Sequence, residues 1–463
     1  MFKDDFKREL MKRSPLAASV LEMSDFIFNQ QLLDGIWDEN RGRCYQDVLT
    51  FKDFLRLMRD SLVRHGGSAH KLFLELESCA AQPVDESNFY RKLSRMPVAV
   101  SRALLSRCTQ CLAQLMPGPA ADLPACLDGF AVIIADGKKI KNVTKRLKPA
   151  RGYSGQLLGA KALVAVDARS GLAIAMSDSL DGMINDVPLV PLLMPRLHEL
   201  LGGRAMLTVW DRQFDDVATL RCLCQREQDA FLVRMKQTQA KFAVESAVSG
   251  HDAQGRRVLD EIGMLGRGKG QMRVRRITLF RDHAQDEEDV VLLTNLLDRD
   301  RYNAQDLLAL YRRRWGIEQV FQQVTQTFSL EHLIGCSPKA TLLQFSFCLV
   351  LYNLMQVIKA YVARDGAVPA SVVSTHYLFD DVRKELVAWA YHTDGGWPRV
   401  SRDAGAMRQR LAELLADSWD PVRHRKASDR KPRGRPKPRL HLHGGHSSMQ
   451  RALEGRLELA STN

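Results

Sequence analysis

The chain has 463 residues, 45% of them hydrophobic and 26% charged, with a formal net charge of +13. That length exceeds one ordinary hydrophobic core and predicts roughly two to four domains. With no apolar run of roughly 18 residues and no signal pattern after the charged start Met1-Phe-Lys-Asp-Asp5, a soluble cytoplasmic protein is expected, not a membrane or secreted one.

Residues 1–125 read as a helical DNA-binding region. Phe51 to Val63 is amphipathic, and Ala69 to Glu77 and Glu86 to Met96 are two short helical patterns separated by the turn-like Ala80 to Asp85. The pair is compatible with a helix-turn-helix whose second helix carries Arg91, Lys92 and Arg95, and equally with a plain helical bundle. Cys108-Thr-Gln-Cys111 lies in a helical stretch with no second pair to complete a zinc site, so buried packing is expected. The nine cysteines form no regular framework, which predicts reduced thiols.

Pro117-Gly-Pro-Ala120 opens a linker, and residues 126–235 read as the first part of an α/β core. Phe130 to Ala135 is a continuous apolar strand followed by Asp136-Gly137. Ala160 to Asp167 and Gly171 to Met176 are strands joined by a turn. A helix at about Asp186 to Leu201 leads to the strand Ala205 to Trp210, which ends on Asp211; a helix (Val217 to Gln228) and a strand (Ala230 to Met235) follow. Residues 236–299 are strand-rich, with candidates at Arg256 to Leu259, Met272 to Phe280 and Asp289 to Thr294. Residues 300–360 return to the core with a polar helix and then the apolar stretch Ala340 to Ala363, whose Gln344, Asn353, Gln356 and Lys359 make it a buried helix rather than a membrane span. Residues 361–416 read as a helical C-terminal region, and 417–463 as a basic, flexible tail.

The charge is concentrated. Residues 1–126 hold 17 basic and 16 acidic side chains, whereas Gly137 to Lys161 holds eight Lys/Arg and no acid. Pro421 to Arg439 holds nine Lys/Arg against one Asp. Such patches are expected of a polyanion binder. Lys138, Lys139, Lys141, Lys145 and Arg146 directly follow Asp136 and read as a phosphate track.

The most informative stretch is Tyr311 to Thr325. At about 100° per residue, Tyr311, Arg314, Glu318 and Thr325 fall on one face of a helix. A carboxylate beside a guanidinium and a phenol suits a site for a divalent cation and a phosphate. Asp136 and Asp211, each closing a strand, could supply the rest of a metal site.

The motifs Ile134-Ala-Asp136-Gly-Lys138, Val209-Trp-Asp211-Arg-Gln-Phe214 and Tyr311-x2-Arg314-x3-Glu318 together resemble bacterial insertion-sequence transposases of the DDE type. Within these, they resemble the group with a Tyr-x2-Arg-x3-Glu-x6-Lys signature and a β-rich insertion. The resemblance covers roughly residues 128 to 360. It implies an α/β, RNase H-like (retroviral integrase-like) core and cut-and-paste transposition by two-metal phosphoryl transfer with Mg²⁺, or Mn²⁺ in its place. It implies Asp136, Asp211 and Glu318 as metal ligands and catalytic residues, and Tyr311 and Arg314 as phosphate contacts. Its partner would be double-stranded DNA, bound by a homodimer in the synaptic complex, in the bacterial cytoplasm at the nucleoid.

Two positions depart from the group. Thr325 stands where the signature has lysine, so its hydroxyl would replace a charged contact, with Arg312, Arg313 or Lys339 to compensate. No Trp lies between Asp211 and Arg314, and Phe280 is the aromatic with a comparable place in the insertion. Near the C-terminus, Arg433-Gly-Arg435-Pro resembles an AT-hook, which lies along a narrow A·T minor groove. Two other readings stay open: a catalytically decayed DNA-binding protein, and an RNase H-like nuclease without strand transfer.

Overall fold

A computed structural model describes residues 11–45, 48–78, 84–141, 143–151, 153–236, 241–281, 288–327, 330, 333–392, 403–420 and 445–456. The chain opens with helices α1 (Pro15–Ile27), α2 (Gln30–Asn40), α3 (Phe51–Val63), α4 (Ala69–Ser78), α5 (Glu86–Arg95) and α6 (Val98–Ala113). Thr50 and Asn29 cap α3 and α2 by accepting from the Asp53 and Leu32 amides. Phe89 stacks on Phe54 and lies tilted against Phe73, binding α3, α4 and α5 together. Two expectations for α5 part here. Arg91 and Arg95 are exposed, but Lys92 turns inward, over the Trp37 ring at 4.7 Å and onto the Leu49 carbonyl. Part of the turn expected at 80–85 lies outside the described residues. Cys108 and Cys111 are free thiols on α6, and Cys108 is buried.

The core is one mixed sheet. Its strands are β1 (Ala131–Ile140), β3 (Ala160–Asp167), β4 (Ala173–Ser179), β5 (Met206–Trp210), β6 (Ala230–Arg234), β7 (Phe242–His251), β8 (Arg257–Leu265), β9 (Met272–Leu279) and β10 (Val290–Thr294), in the order β4-β3-β1-β5-β6-β10-β9-β8-β7. β1, β5 and β6 run parallel, and β3 pairs antiparallel with β1. Between β4 and β5 lies α7 (Val190–Leu200), and between β5 and β6 the short α8 (Val217–Leu223). Both cover the sheet face formed by Ile133, Ala135, Trp210 and Phe231.

The expected β-rich block is not separate from this sheet. β10 pairs with β6, so β7 to β10 extend the core sheet. Periodicity did not anticipate β7, whose exposed faces offer no alternation to read. Arg275 on β9 is fully buried and joins this extension to the segment leading into the next helices. Its Nη2 and Nε donate to Asp260 at 2.6 and 2.9 Å, and Nη1 donates to the Tyr302 carbonyl at 2.6 Å.

The chain then forms α9 (Ala304–Arg312), α10 (Trp315–Gln326), α11 (Pro338–Asp365), α12 (Thr375–His392) and α13 (Ala404–Leu414). By length and composition α11 could cross a membrane, but 94% of its most apolar window is buried within the protein. It lies across β1, β3 and β4 and against α6. Its Asn353 both donates to the Ala173 carbonyl and accepts from the Ala173 amide, each at 2.8 Å.

The C-terminal stretch differs from a free tail. β11 (His446–Ser448) pairs in parallel with the short β2 (Gln156–Leu158), and α14 (Met449–Leu453) follows. Met449 and Ala452 pack on Val143, Ala150, Tyr153 and Leu157, and Arg451 pairs with Asp181 at 3.0 Å. This strap holds the basic loop after β1. The AT-hook-like Arg433 and Arg435 lie outside the described residues.

Replacing Arg275 with Met removes both short bonds to the buried Asp260 carboxylate and leaves it the longer 3.3 Å contact from Arg299. Denaturant unfolding of Arg275→Met is expected to show a loss of about 3–5 kcal/mol. A loss under about 1 kcal/mol would contradict this account of how the extension is attached.

Candidate active site

Asp136 lies within β1, not at its end. The strand continues to Ile140 because Asp136 to Ile140 pair with Val164 to Ala160 of β3. The parallel ladder to β5, however, ends at Ile134↔Val209. Asp136 and Asp211 are thus both two residues beyond the last pair, at equivalent positions on neighbouring strands. Asp211 begins a one-turn helix, its carboxylate accepting from the Gln213 amide at 2.6 Å.

Tyr311, Arg314 and Glu318 come from two helices rather than one. The chain tightens between α9 and α10: Arg313, Arg314, Gly316 and Ile317 each donate to the carbonyl three residues back. In such a turn residues i and i+3 eclipse, and Arg314 lies 5.7 Å from the Tyr311 ring centroid. Arg314 is only 6% exposed. Its Nη1 stands 3.4 Å from Asp136 Oδ2 and its Nη2 3.3 Å from Glu318 Oε1. Its Nε is buried with no hydrogen-bond partner among the described residues.

Burial pushes the Asp136 carboxyl up to about 6; the Gly137 amide and Arg314 pull it back, and the charges of Asp211 and Asp186 add to the rise. Burial also raises the Tyr311 phenol, against the pull of Arg314. On Arg314 burial opposes the charge, but Tyr311, Asp136 and Asp211 outweigh it, and the net shift is upward.

The expected site residues are only partly gathered. Asp136, Arg314, Glu318 and Tyr311 are in contact through the guanidinium, and Asp211 acts on it by charge. Among the described residues no three His, Cys, Asp or Glu side chains converge tightly enough to hold one ion. Arg314 stands between Asp136 and Glu318 instead. The oxygen-only donor chemistry at Asp136 and Asp211 still fits a hard divalent cation. A carboxyl raised by burial beside one shared arginine also fits an added positive charge.

Thr325 does not offer a donor here, because its hydroxyl bonds back to the Phe321 carbonyl at 2.7 Å. Phe280 is covered by the Arg257 guanidinium, 4.8 Å from its ring. Within the basic stretch, Lys138 lies over Phe321 at 5.5 Å, and burial lowers its pKa. Lys145 is bound to the Tyr153 carbonyl, whereas Lys139, Lys141 and Arg146 are exposed. A cavity of about 830 Å³ opens beside Arg312, Arg313 and Trp315, but Asp136, Asp211 and Glu318 do not line it.

Residues 128–354 match the family model described as a transposase DDE domain. That match supports a DDE transposase family for this segment. Among solved structures the chain is similar to a chain of the "Cryo-EM structure of piggyBac transposase synaptic complex with hairpin DNA", at 12% identity over 85% of each chain with a TM-score of 0.40. A search of curated proteins finds no match.

Sequence reasoning missed Asp186, Lys161 and Gln213. Asp186 Oδ2 accepts from Gln213 Nε2 at 2.8 Å, and Lys161 Nζ lies 2.7 Å from Asp186 Oδ1. Asn185-Asp186 resembles an ordinary helix start, and no linear spacing relates it to Asp136. The glycine in Asp136-Gly137 was the available signal, because a Cβ there would overlap the Asp186 carboxylate.

Because folding raises the Asp136 pKa, ionising it costs stability; the cost is absent below the ordinary carboxylate range and complete above about 6. In EDTA at about pH 7.5, Asp136→Asn is expected to melt above the parent, by on the order of 2–3 kcal/mol at most. The gain should vanish as pH falls from about 6 toward 4. A gain independent of pH would contradict the burial account.

Proposed function

We propose that the chain is a DNA transposase of the DDE type with an RNase H-like core. It cuts DNA at element ends and joins the freed 3′-OH to target DNA by phosphoryl transfer. The observation that carries the reading is the arrangement around Arg314, within the segment that matches the transposase domain model. The strand order β4-β3-β1-β5-β6, parallel only from β1 onward, supports the core assignment.

Asp136 and Asp211, with Glu318, would hold divalent cations, Mg²⁺ or Mn²⁺. Bound there, such ions activate the attacking oxygen and stabilise the leaving one. The Arg314 ion pairs of 3.3 and 3.4 Å are longer than the about 2.7–2.9 Å of strong charge-assisted bonds. On binding DNA, Arg314 would turn from a carboxylate to a phosphate oxygen. Tyr311 orients it from one side. Lys139, Lys141 and Arg146, exposed on the strand and loop after Asp136, would carry the DNA backbone toward the carboxylates. Lys138 and Lys145, engaged with Phe321 and Tyr153, would shape that track. Arg433 and Arg435 are proposed to add minor-groove contact, and a homodimer to pair two ends.

The test is cleavage of supercoiled plasmid carrying the gene's flanking ends. Mg²⁺-dependent breaks at the element boundary are expected, abolished by EDTA and lowered at least about 10³-fold by Asp136→Ala, Asp211→Ala or Glu318→Ala, with end binding retained. Binding without cleavage would favour the decayed DNA-binding reading, and cleavage without joining of pre-cut ends the simple nuclease.

The Thr325 hydroxyl is satisfied within its own helix, so its loss strands no partner. Thr325→Val should leave cleavage within about threefold of the parent, because its hydroxyl proton is already donated to the Phe321 carbonyl. A tenfold fall would restore Thr325 as a contact.

A further inference from the structure

We propose that Asp186 is a positioning residue. From the back of the sheet, it ties the turn that carries Asp211 to the strand that carries Asp136. The activity part of its test rests on the transposase reading; the structural part does not.

The β1–β5 ladder stops at Ile134↔Val209, so no backbone pair sets the distance between Asp136 and Asp211. Side chains alternate along a strand. Ile134 and Asp136 therefore share the face toward α10 and α11, while Ile133, Ala135 and Gly137 face α7. Asp186 lies on that second face, its carboxylate resting on Gly137 where any Cβ would overlap it.

The carboxylate is held from both sides. Lys161 on β3 approaches Oδ1 at 2.7 Å and also donates to the Ile184 carbonyl at 2.8 Å. Gln213 donates its Nε2 to Oδ2 at 2.8 Å, and its backbone amide donates to Asp211 at 2.6 Å. One chain of contacts thus crosses three neighbouring strands, from Lys161 through Asp186 over Gly137 to Gln213 and Asp211. Asp186 and Lys161 are 7% and 3% exposed, so water competes little for these bonds. With the β1–β5 ladder ended at Val209, this clamp ties the Asp211 turn back across β1, while β6 still pairs with Trp210 on the other side.

Gln213→Ala cuts the clamp and leaves the buried Lys161–Asp186 pair intact. Asp186→Asn/Lys161→Met keeps an oxygen for Gln213 and buries no charge. Two readouts are needed: amide exchange at residues 211–214, and plasmid cleavage over a Mg²⁺ titration. In Gln213→Ala, exchange at 211–214 should quicken about tenfold with the melting temperature nearly unchanged. Cleavage should fall about tenfold or more, with a higher Mg²⁺ half-point. The paired variant, which keeps an acceptor for Gln213, should stay near the wild type in both. Unchanged exchange at 211–214 in Gln213→Ala would overturn the proposal whatever cleavage does. Faster exchange in a protein whose wild type cuts no DNA would leave the clamp standing and overturn the transposase reading.

Discussion

The site depends on one guanidinium serving carboxylates from separate parts of the chain. Arg314 touches Asp136 and Glu318 and feels the charge of Asp211. Each contact is long, and the Asp136 carboxyl remains raised by burial despite it. A single shared cation leaves this cluster short of positive charge. Asp136 and Arg314 lie largely out of water, although Glu318 is exposed, so the shortfall weighs most on Asp136; under the proposed function it is the electrostatic reason to expect divalent cations there.

The fold delivers these groups by unlike means. Parallel β1 and β5 bring the two Asp to equivalent heights, and Asp186 with Gln213 bridges the gap where the ladder stops. The tightened turn between α9 and α10 sets Tyr311 over Arg314. Arg275 fastens the sheet extension to the lead-in of α9. On the far side of β1, the β11–β2 pair and α14 brace the loop that bears Lys145 and Arg146.

The sequence made much of this legible, for identifiable reasons. Apolar runs such as Ala131 to Ala135 and Met206 to Trp210 are buried on both faces and read as strands without ambiguity. The spacing of Tyr311, Arg314 and Glu318 survives the helix break because a tight turn also aligns residues three apart. What was hidden depends on partners distant in sequence. Asp136 is mid-strand because β3 pairs beyond it. Lys92 looks like a surface cation in its helix, yet Trp37 draws it inward. His446 to Ser448 reads as tail, and only β2 makes it a strand. Asp186 acts through the back of the sheet, where no periodicity in its own segment points to Asp136.

The central claim is that Asp136 and Asp211 form a cation site in which Arg314 holds the charge until an ion arrives. Anomalous diffraction from crystals of the protein grown with Mn²⁺ tests it most directly. The account predicts a Mn²⁺ peak at the Asp136 and Asp211 carboxylates, with the Arg314 guanidinium drawn away from Asp136. A Mn²⁺ peak only at surface carboxylates, with the Arg314–Asp136 contact intact, would contradict it.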